Sequence, residues 1–282
     1  MTLSPRHRRS LLFVPAVRPD RYPKALDTGT DAVCIDLEDG VGFDAKDMAR
    51  AAAVDLFRGR VSTRAEVSLR INDPRSEHGR RDLEAILDSG IRPDALMLPK
   101  VSEPDDVVLV ESLLRTGPAF PLIVQLETAR GVVAAHEIGA ASERIAALFF
   151  GAIDLSADIG CAVEWDALLF ARSQVVLAGS VAGVPAIDSP FMDVRAPEAL
   201  EEECRRVRKL GFVGKAAVHP TQVPIIEAAF SPTAEEIAWA HTVVDAYEVN
   251  RGGVLLVEGQ LVERPVVSAA QRLLDMAAGD DR

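Results

Sequence analysis

The chain is short of cysteine, aromatic residues, basic residues and long apolar runs, and each shortage excludes something. Only 3 of its 282 residues are cysteines, and no CxxC pair occurs. That argues against a disulfide framework and a structural zinc site. Cys34, Cys161 and Cys204 read as buried filler, the usual place of a free thiol. Lys and Arg number 31 against 43 Asp and Glu, a formal charge of −12. So acidic a surface argues against nucleic acid or an anionic membrane as the main partner, though a site's local field can still oppose the overall charge. No apolar stretch approaches the roughly 20 residues a membrane-spanning helix needs. The run Leu11–Val14 behind a basic start is too short for a signal sequence, so the cytoplasm is the expected compartment. There is no HExxH, no phosphate-binding P-loop and no GxSxG.

What is present is a globular composition, 48% hydrophobic and 26% charged, in which short apolar runs alternate with helical patterns. The strand candidates are Leu11–Pro15, Ala32–Glu38, Glu66–Asn72, Ala95–Lys100, Pro121–Glu127, Ala146–Ala152, Pro185–Pro190 and Gly214–His219. Amphipathic segments lie between them: Asp44–Phe57, Gly79–Ser89, Glu103–Arg115, Ala129–Ala140, Trp165–Ala182 and Ala196–Leu210. Strands that are apolar without polar alternation suit a parallel sheet covered by helices. Eight β-then-α units predict an α/β fold, a TIM-type (β/α)8 barrel, over residues 1–220. An open doubly wound sheet is the alternative, but it would want a glycine-rich fingerprint after the first strand, and none is there. Residues 221–282 read as a C-terminal helical and hairpin cap or arm, lying on the barrel or, as the favoured expectation, on a neighbouring subunit. Within it Thr233 and Glu236 form a capping box, Gly252 and Gly253 end the helix Thr233–Arg251, and Glu258–Gly259 turns between two short strands. A last helix is expected over Val266–Met276, followed by a frayed end.

The polar residues cluster at the ends of the strand candidates: Asp36, Glu38 and Asp39; Arg70 and Asn72; Lys100; Gln125 and Glu127; then Asp154, Asp188 and His219. In a barrel these ends meet at one rim, where active sites lie. One Arg and one Lys cannot balance so many acids, and carboxylates taken from water cost several kcal/mol unless paired or metal-bound. A divalent cation would supply the missing charge. An all-oxygen ligand set favours Mg²⁺, with Mn²⁺ as an alternative, over zinc. Each residue also has a plainer reading: Asp154 and Glu127 as helix caps, Lys100 as an ion-pair partner, His219 as a rim histidine.

The same residues carry a resemblance to the citrate lyase beta-subunit and malyl-CoA lyase family. It runs from Arg9 to about Leu274 through RSLLFVP (9–15), IDLED (35–39), LRIN (69–72), LPK (98–100), QLETARG (125–131), FGAIDL (150–155), IDSP (187–190), GFVGK (211–215) and HPTQ (219–222). The resemblance implies a TIM-type barrel, a bound Mg²⁺, and cleavage or formation of a bond between an acyl thioester and a 2-oxo acid. It implies Glu127 and Asp154 as metal ligands, with Glu127 also at the substrate. It implies Arg70 as the group on substrate oxygen, and Glu38 and Asp39 as acids holding metal-bound water. Glu263 in the arm aligns with the family's base, which often reaches a neighbouring subunit's site, so a homotrimer or its multiple is expected. Two positions depart from the pattern: Ala16 stands where the family has glycine, and Glu263 where it has aspartate.

The expected reaction is therefore Mg²⁺-dependent cleavage of a 3-hydroxyacyl thioester such as a malyl, citramalyl or citryl thioester, carried by CoA or by an acyl-carrier protein. Arg18, Arg21 and Lys24 are candidates to meet phosphates. Three alternatives stay open at this point: a metal-dependent aldolase acting on free 2-oxo acids, a Schiff-base aldolase using Lys100, and a barrel that serves only as a partner subunit.

Overall fold

The computed structural model describes residues 7–250 and 253–280. Eight parallel strands close into a barrel in chain order: β1 (Ser10–Pro15), β2 (Ala32–Asp36), β3 (Glu66–Arg70), β4 (Ala95–Leu98), β5 (Leu122–Leu126), β6 (Ile145–Phe150), β7 (Ala186–Asp188) and β8 (Gly214–Ala217). β1 pairs with both β2 and β8, which removes the sheet edge and rules out the open sheet. The helices that follow are α1 (Tyr22–Leu26), α2 (Lys46–Gly59), α3 (Glu77–Ser89), α4 (Pro104–Leu113), α5 (Ala129–Val133), α6 (Ala135–Gly139), α7 (Ala152–Ile159), α8 (Trp165–Ala182), α9 (Pro197–Leu210) and α10 (Val223–Phe230). The segment expected as one helix over Ala129–Ala140 is broken at Ala134 into α5 and α6.

Side chains alternate between the barrel lumen and its outer face. Leu11, Ala32, Cys34, Ala95, Met97, Ile123, Ala147, Phe149, Ile187 and Ala216 pack together in the lumen. Half of these are alanine or cysteine, which leaves space for the larger Leu11, Met97, Ile123, Phe149 and Ile187 in a narrow eight-stranded lumen. At the lower end Arg8 forms a buried pair with Glu66, its Nε 2.8 Å from Oε2. At the upper end the same lumen-facing columns continue into polar residues: Cys34 is followed two residues on by Asp36, Ser68 by Arg70, and Ile123 by Gln125. This alternation places the site.

It also corrects one expectation. Asp188 does not reach the rim. Ile187 takes the lumen, so Asp188 faces outward and meets Lys215 on the paired strand, with Nζ 2.6 Å from Oδ2. Arg172 of α8 donates to the other Asp188 oxygen at 3.0 Å, and Glu203 of α9 accepts from Lys215 at 2.6 Å. Lys215 and Asp188 are both fully buried. Breaking such a group leaves an unpaired charge and costs about 3–5 kcal/mol. Lys215→Met is expected to lower unfolding stability by that amount, measured as a shift in urea midpoint at constant slope. An unchanged midpoint would show that the network contributes nothing.

The chain forms two compact units, Met1–Ala229 and Phe230–Arg282. The second unit holds α11 (Ala234–Val249), the antiparallel hairpin β9 (Leu255–Val257) and β10 (Gln260–Val262), and α12 (Arg264–Asp280). Its core is Ala240, Val243, Val257, Val262 and Ala270. Thr233 and Glu236 form the expected capping box. The hairpin turns at Glu258 and Gly259, whose φ values of 48° and 83° give the left-handed pair a two-residue turn requires. α11 stops at Val249, while Arg251 and Gly252 lie outside the described residues. α12 runs on to Asp280 instead of ending at Met276.

Candidate active site

Arg70 ends β3 inside the mouth of the barrel. Its Nε and one terminal nitrogen each donate to an Asp36 oxygen at 2.7 Å, the fork geometry that makes Arg–carboxylate pairs strong. Its third nitrogen lies 3.3 Å from Glu38 Oε2, and its guanidinium sits 4.7 Å from the centre of the Phe13 ring. Asp36 also accepts from the backbone N–H groups of Glu38 and Gly40, both at 2.8 Å. Burial would raise the Asp36 carboxyl, but Arg70 and these donors outweigh it and hold it below its ordinary value. Arg70 is held above its own for the complementary reason: burial opposes its charge, and Asp36 and Glu38 more than offset that. The result is a guanidinium fixed in place and always charged.

The chain turns sharply after β4. Lys100 has φ 56°, a left-handed conformation uncommon outside glycine. That turn aims its N–H at Glu127 Oε1, 2.8 Å away. Its Nζ donates to Glu38 Oε1 at 2.6 Å and lies 3.6 Å from Asp39 Oδ1. Burial works against the ammonium, but Glu38, Asp39 and Asp154 prevail and keep it above its usual range. Lys46 of α2 donates to the carbonyls of Leu37 and Glu38 at 2.8 and 2.7 Å, which fixes the loop carrying these acids.

Glu127 follows β5 and is 1% exposed. Burial, then the nearby charges of Asp154 and Glu38, push its carboxyl up to about 8. Gln125 Nε2 donates to it, while Gln125 Oε1 is buried with no partner among the described residues. Gly151 passes so close that a Cβ there would lie 2.4 Å from Glu127 Cβ and 2.6 Å from Oε2, so only glycine lets the backbone through. Asp154 lies in the first turn of α7, half-buried.

Arg70, Glu127 and Asp154 open onto one cleft of about 370 Å³ at the C-terminal ends of the strands, with Glu38 and Lys100 behind its wall. Asp36, Asp39, Arg70, Gln125, Glu127 and Asp154 supply its polar wall, and Phe13, Phe149, Ile153, Pro190 and Met192 its apolar wall. α7 begins at this wall, so the positive end of its dipole lies at the cleft. Ser189, 1% exposed, contributes a hydroxyl with no partner among the described residues.

Several expectations meet here and several do not. Asp36, Glu38, Asp39, Arg70, Lys100, Gln125, Glu127 and Asp154 do converge. Asn72 turns away, with Nδ2 donating to Asp82 of α3 at 2.7 Å. His219 is exposed, and its ring caps the short turn at Pro220–Gln222 by accepting from Thr221 N–H. Lys100 is not part of the cleft wall. Its ammonium is committed to Glu38, whereas a Schiff-base lysine must shed its proton. Glu263 lies in the second unit, exposed, just before α12, where its carbonyl accepts from Val266 and Val267. Arg21 lines the cleft and Arg18 pairs with Asp20. Ala16 is buried at negative φ, so the missing glycine costs nothing there. Cys34 and Cys204 are buried as expected, but Cys161 is partly exposed. Unforeseen were the helix α7 and the cleft residue Ser189. Ser189 lies two residues after lumen-facing Ile187, a spacing that becomes a signal only once the packing of Ile187 is known.

Among the described residues no group of three or more His, Cys, Asp or Glu side chains is placed to hold a metal. Two carboxylates are nonetheless enough for Mg²⁺, which keeps several waters. A carboxyl raised by burial and then by the nearby Asp154 and Glu38 charges, beside an orphaned amide oxygen, fits a hard cation.

Comparison with known proteins shows the family and the barrel fold. Residues 9–220 match the family model for HpcH/HpaI aldolase/citrate lyase. The chain is 32% identical over 285 residues to the citrate lyase subunit beta of Leuconostoc mesenteroides subsp. cremoris, covering 96% of this chain and 94% of that one. It is 34% identical over 271 residues to a (3S)-malyl-CoA thioesterase of Cereibacter sphaeroides, covering 94% and 93%. Among solved structures it is similar to the protein CitE of Mycobacterium tuberculosis in complex with magnesium, acetoacetate and coenzyme A. That match has a TM-score of 0.83 and 34% identity, covering 96% of this chain and 98% of the other.

Proposed function

The chain belongs to the HpcH/HpaI aldolase/citrate lyase family, and we propose that it is a Mg²⁺-dependent carbon–carbon lyase acting on a 3-hydroxyacyl thioester, releasing an acyl thioester and a 2-oxo acid. The observation that carries this reading is the pairing, in one cleft, of a fixed guanidinium with buried Glu127 and half-buried Asp154, two carboxylates suited to a cation. Glu127 and Asp154 would hold the metal, and Glu38 and Asp39 its water. When bound, the cation would supply Lewis-acid polarisation of the substrate's hydroxyl and carboxylate oxygens.

The chain's own groups do the rest. The positive end of the α7 dipole offers N–H groups to a substrate carboxylate. Glu263, from a neighbouring copy in a homotrimer, takes the hydroxyl proton. The carbon–carbon electron pair then passes to the carbon beside the thioester, leaving an enolate that a proton returns to the acyl thioester. Arg70 offsets the charge that forms on the thioester oxygen, already aimed by Asp36 and Phe13. Phe13 and Phe149 keep water from that oxygen. Arg21 at the mouth suits a phosphate-bearing carrier such as CoA.

A second reading is hydrolysis of the thioester, because a relative of similar identity is a malyl-CoA thioesterase. The test is turnover of malyl-CoA and citramalyl-CoA, following release of glyoxylate or pyruvate, with Mg²⁺ and then with EDTA. The lyase reading expects release with Mg²⁺ and its loss, reversed by added Mg²⁺, with EDTA. Release that persists in EDTA would contradict it.

A further inference from the structure

Lys100 is strained, and its backbone role does not explain the side chain. At φ 56° a residue with a Cβ sits in a costly region that glycine occupies freely. The N–H that this turn aims at Glu127 is a backbone group. Glycine would supply the same N–H without the strain. What glycine would lack is the ammonium, held 2.6 Å from Glu38 Oε1 and 3.6 Å from Asp39 Oδ1. Glu38 is 4% exposed; its carboxylate pairs directly with two cations, Lys100 and Arg70, while the Lys46 ammonium sits on its carbonyl. Arg70 is already shared, with two nitrogens on Asp36 and a third 3.3 Å from Glu38. Without Lys100 the Glu38 carboxylate would keep Arg70 as its one direct ion-pair partner, with Lys46 held on its carbonyl.

We propose that Lys100 is a positioning residue: its ammonium neutralises Glu38 so that Arg70 stays aimed into the cleft, and the left-handed turn is the strain accepted to place it. Lys100 does not line the cleft, so it acts through Glu38 and Arg70 and not on substrate. The same turn ties it to Glu127, so one residue couples the metal-binding side of the cleft to its guanidinium side.

The kinetic arm rests on the lyase reading, and the other arms do not. Lys100→Gly and Lys100→Arg are compared with wild type by thermal melting, by Mn²⁺ affinity from electron paramagnetic resonance of the free ion, and by turnover. Lys100→Gly is expected to melt within a few degrees of the wild-type temperature, because the released strain offsets the lost, partly exposed ion pair to Glu38. It is expected to bind Mn²⁺ at least as tightly, because the ligands remain and a competing positive charge is gone. Its kcat should fall about tenfold or more with KM within about threefold, the pattern of a lost transition-state interaction. Lys100→Arg should recover most of the rate. A Lys100→Gly enzyme with wild-type kcat would overturn the proposal. So would one that melts far lower and loses Mn²⁺, since the lysine would then be an ordinary structural ion pair. If wild type turns over neither thioester, the lyase reading fails, and pyruvate binding to the Mg²⁺-loaded protein takes the place of turnover. Weaker binding in Lys100→Gly, restored in Lys100→Arg, then supports the positioning role, and equal binding overturns it.

Discussion

Glu127→Gln is expected to lower kcat/KM by about a thousandfold and to abolish the rise in melting temperature that Mg²⁺ gives wild type. A thousandfold is about 4 kcal/mol of transition-state stabilisation, within what a bound cation supplies at a developing oxyanion. The amide has the same shape and can still accept from Lys100 N–H, but it carries no charge for a metal. In the metal-free protein the substitution should cost little. Burial already pushes the Glu127 carboxyl up to about 8, so near neutral pH the side chain is largely uncharged without its cation. Melting curves with and without Mg²⁺ beside steady-state kinetics make the check. A variant that retains both the Mg²⁺-induced shift and wild-type turnover would remove Glu127 from the metal site.

Arg70→Lys carries the second large effect: a fall in kcat of about a hundredfold or more, with KM changed far less. Lysine keeps the charge but not the fork. It cannot hold both Asp36 oxygens and still present a donor toward the cleft, and it loses the flat contact over Phe13. The buried Asp36 would keep one cation in place of a bidentate pair, so a drop of a few degrees in melting temperature should accompany the loss. A Lys variant with wild-type kcat would mean that positive charge alone suffices at this position.

The fold was legible because both features that define it leave sequence traces. Doubly buried strands are apolar without alternation, and their period differs from that of the helices. The site was legible for a related reason: a charged residue at the end of an apolar strand has few inexpensive places to be. What misled was length and parity. Most strand candidates ran one or two residues past the observed ends, because Glu38, Asn72, Lys100 and Glu127 sit on loops just above the barrel. Nothing in the segment Ile187-Asp188-Ser189 says which residue faces inward; the packing of Ile187 in the lumen decides it and sends Asp188 to Lys215. Lys215 itself, fully buried among glycine and alanine, becomes intelligible only once Asp188 and Glu203 are seen around it. α7 escaped notice because it has 8 residues and begins directly after a strand. The strain at Lys100 is a backbone angle, which a side-chain pattern does not encode.

The arm is the remaining link between structure and reaction. Glu263 is exposed at the start of α12, and in the proposed reaction it serves a neighbouring copy's cleft. Its extra methylene relative to aspartate lengthens the reach of that base.

Whether the cleft breaks a carbon–carbon bond is tested most directly by product balance. With Mg²⁺ and the thioester that wild type consumes fastest, acyl thioester, 2-oxo acid and free thiol are quantified together by mass spectrometry and thiol titration. A lyase yields acyl thioester and 2-oxo acid in equal amounts, with no free thiol beyond the enzyme-free control, and that is the expected result. Free thiol appearing with an intact hydroxy diacid, and no 2-oxo acid, would contradict it and make the cleft that of a thioesterase.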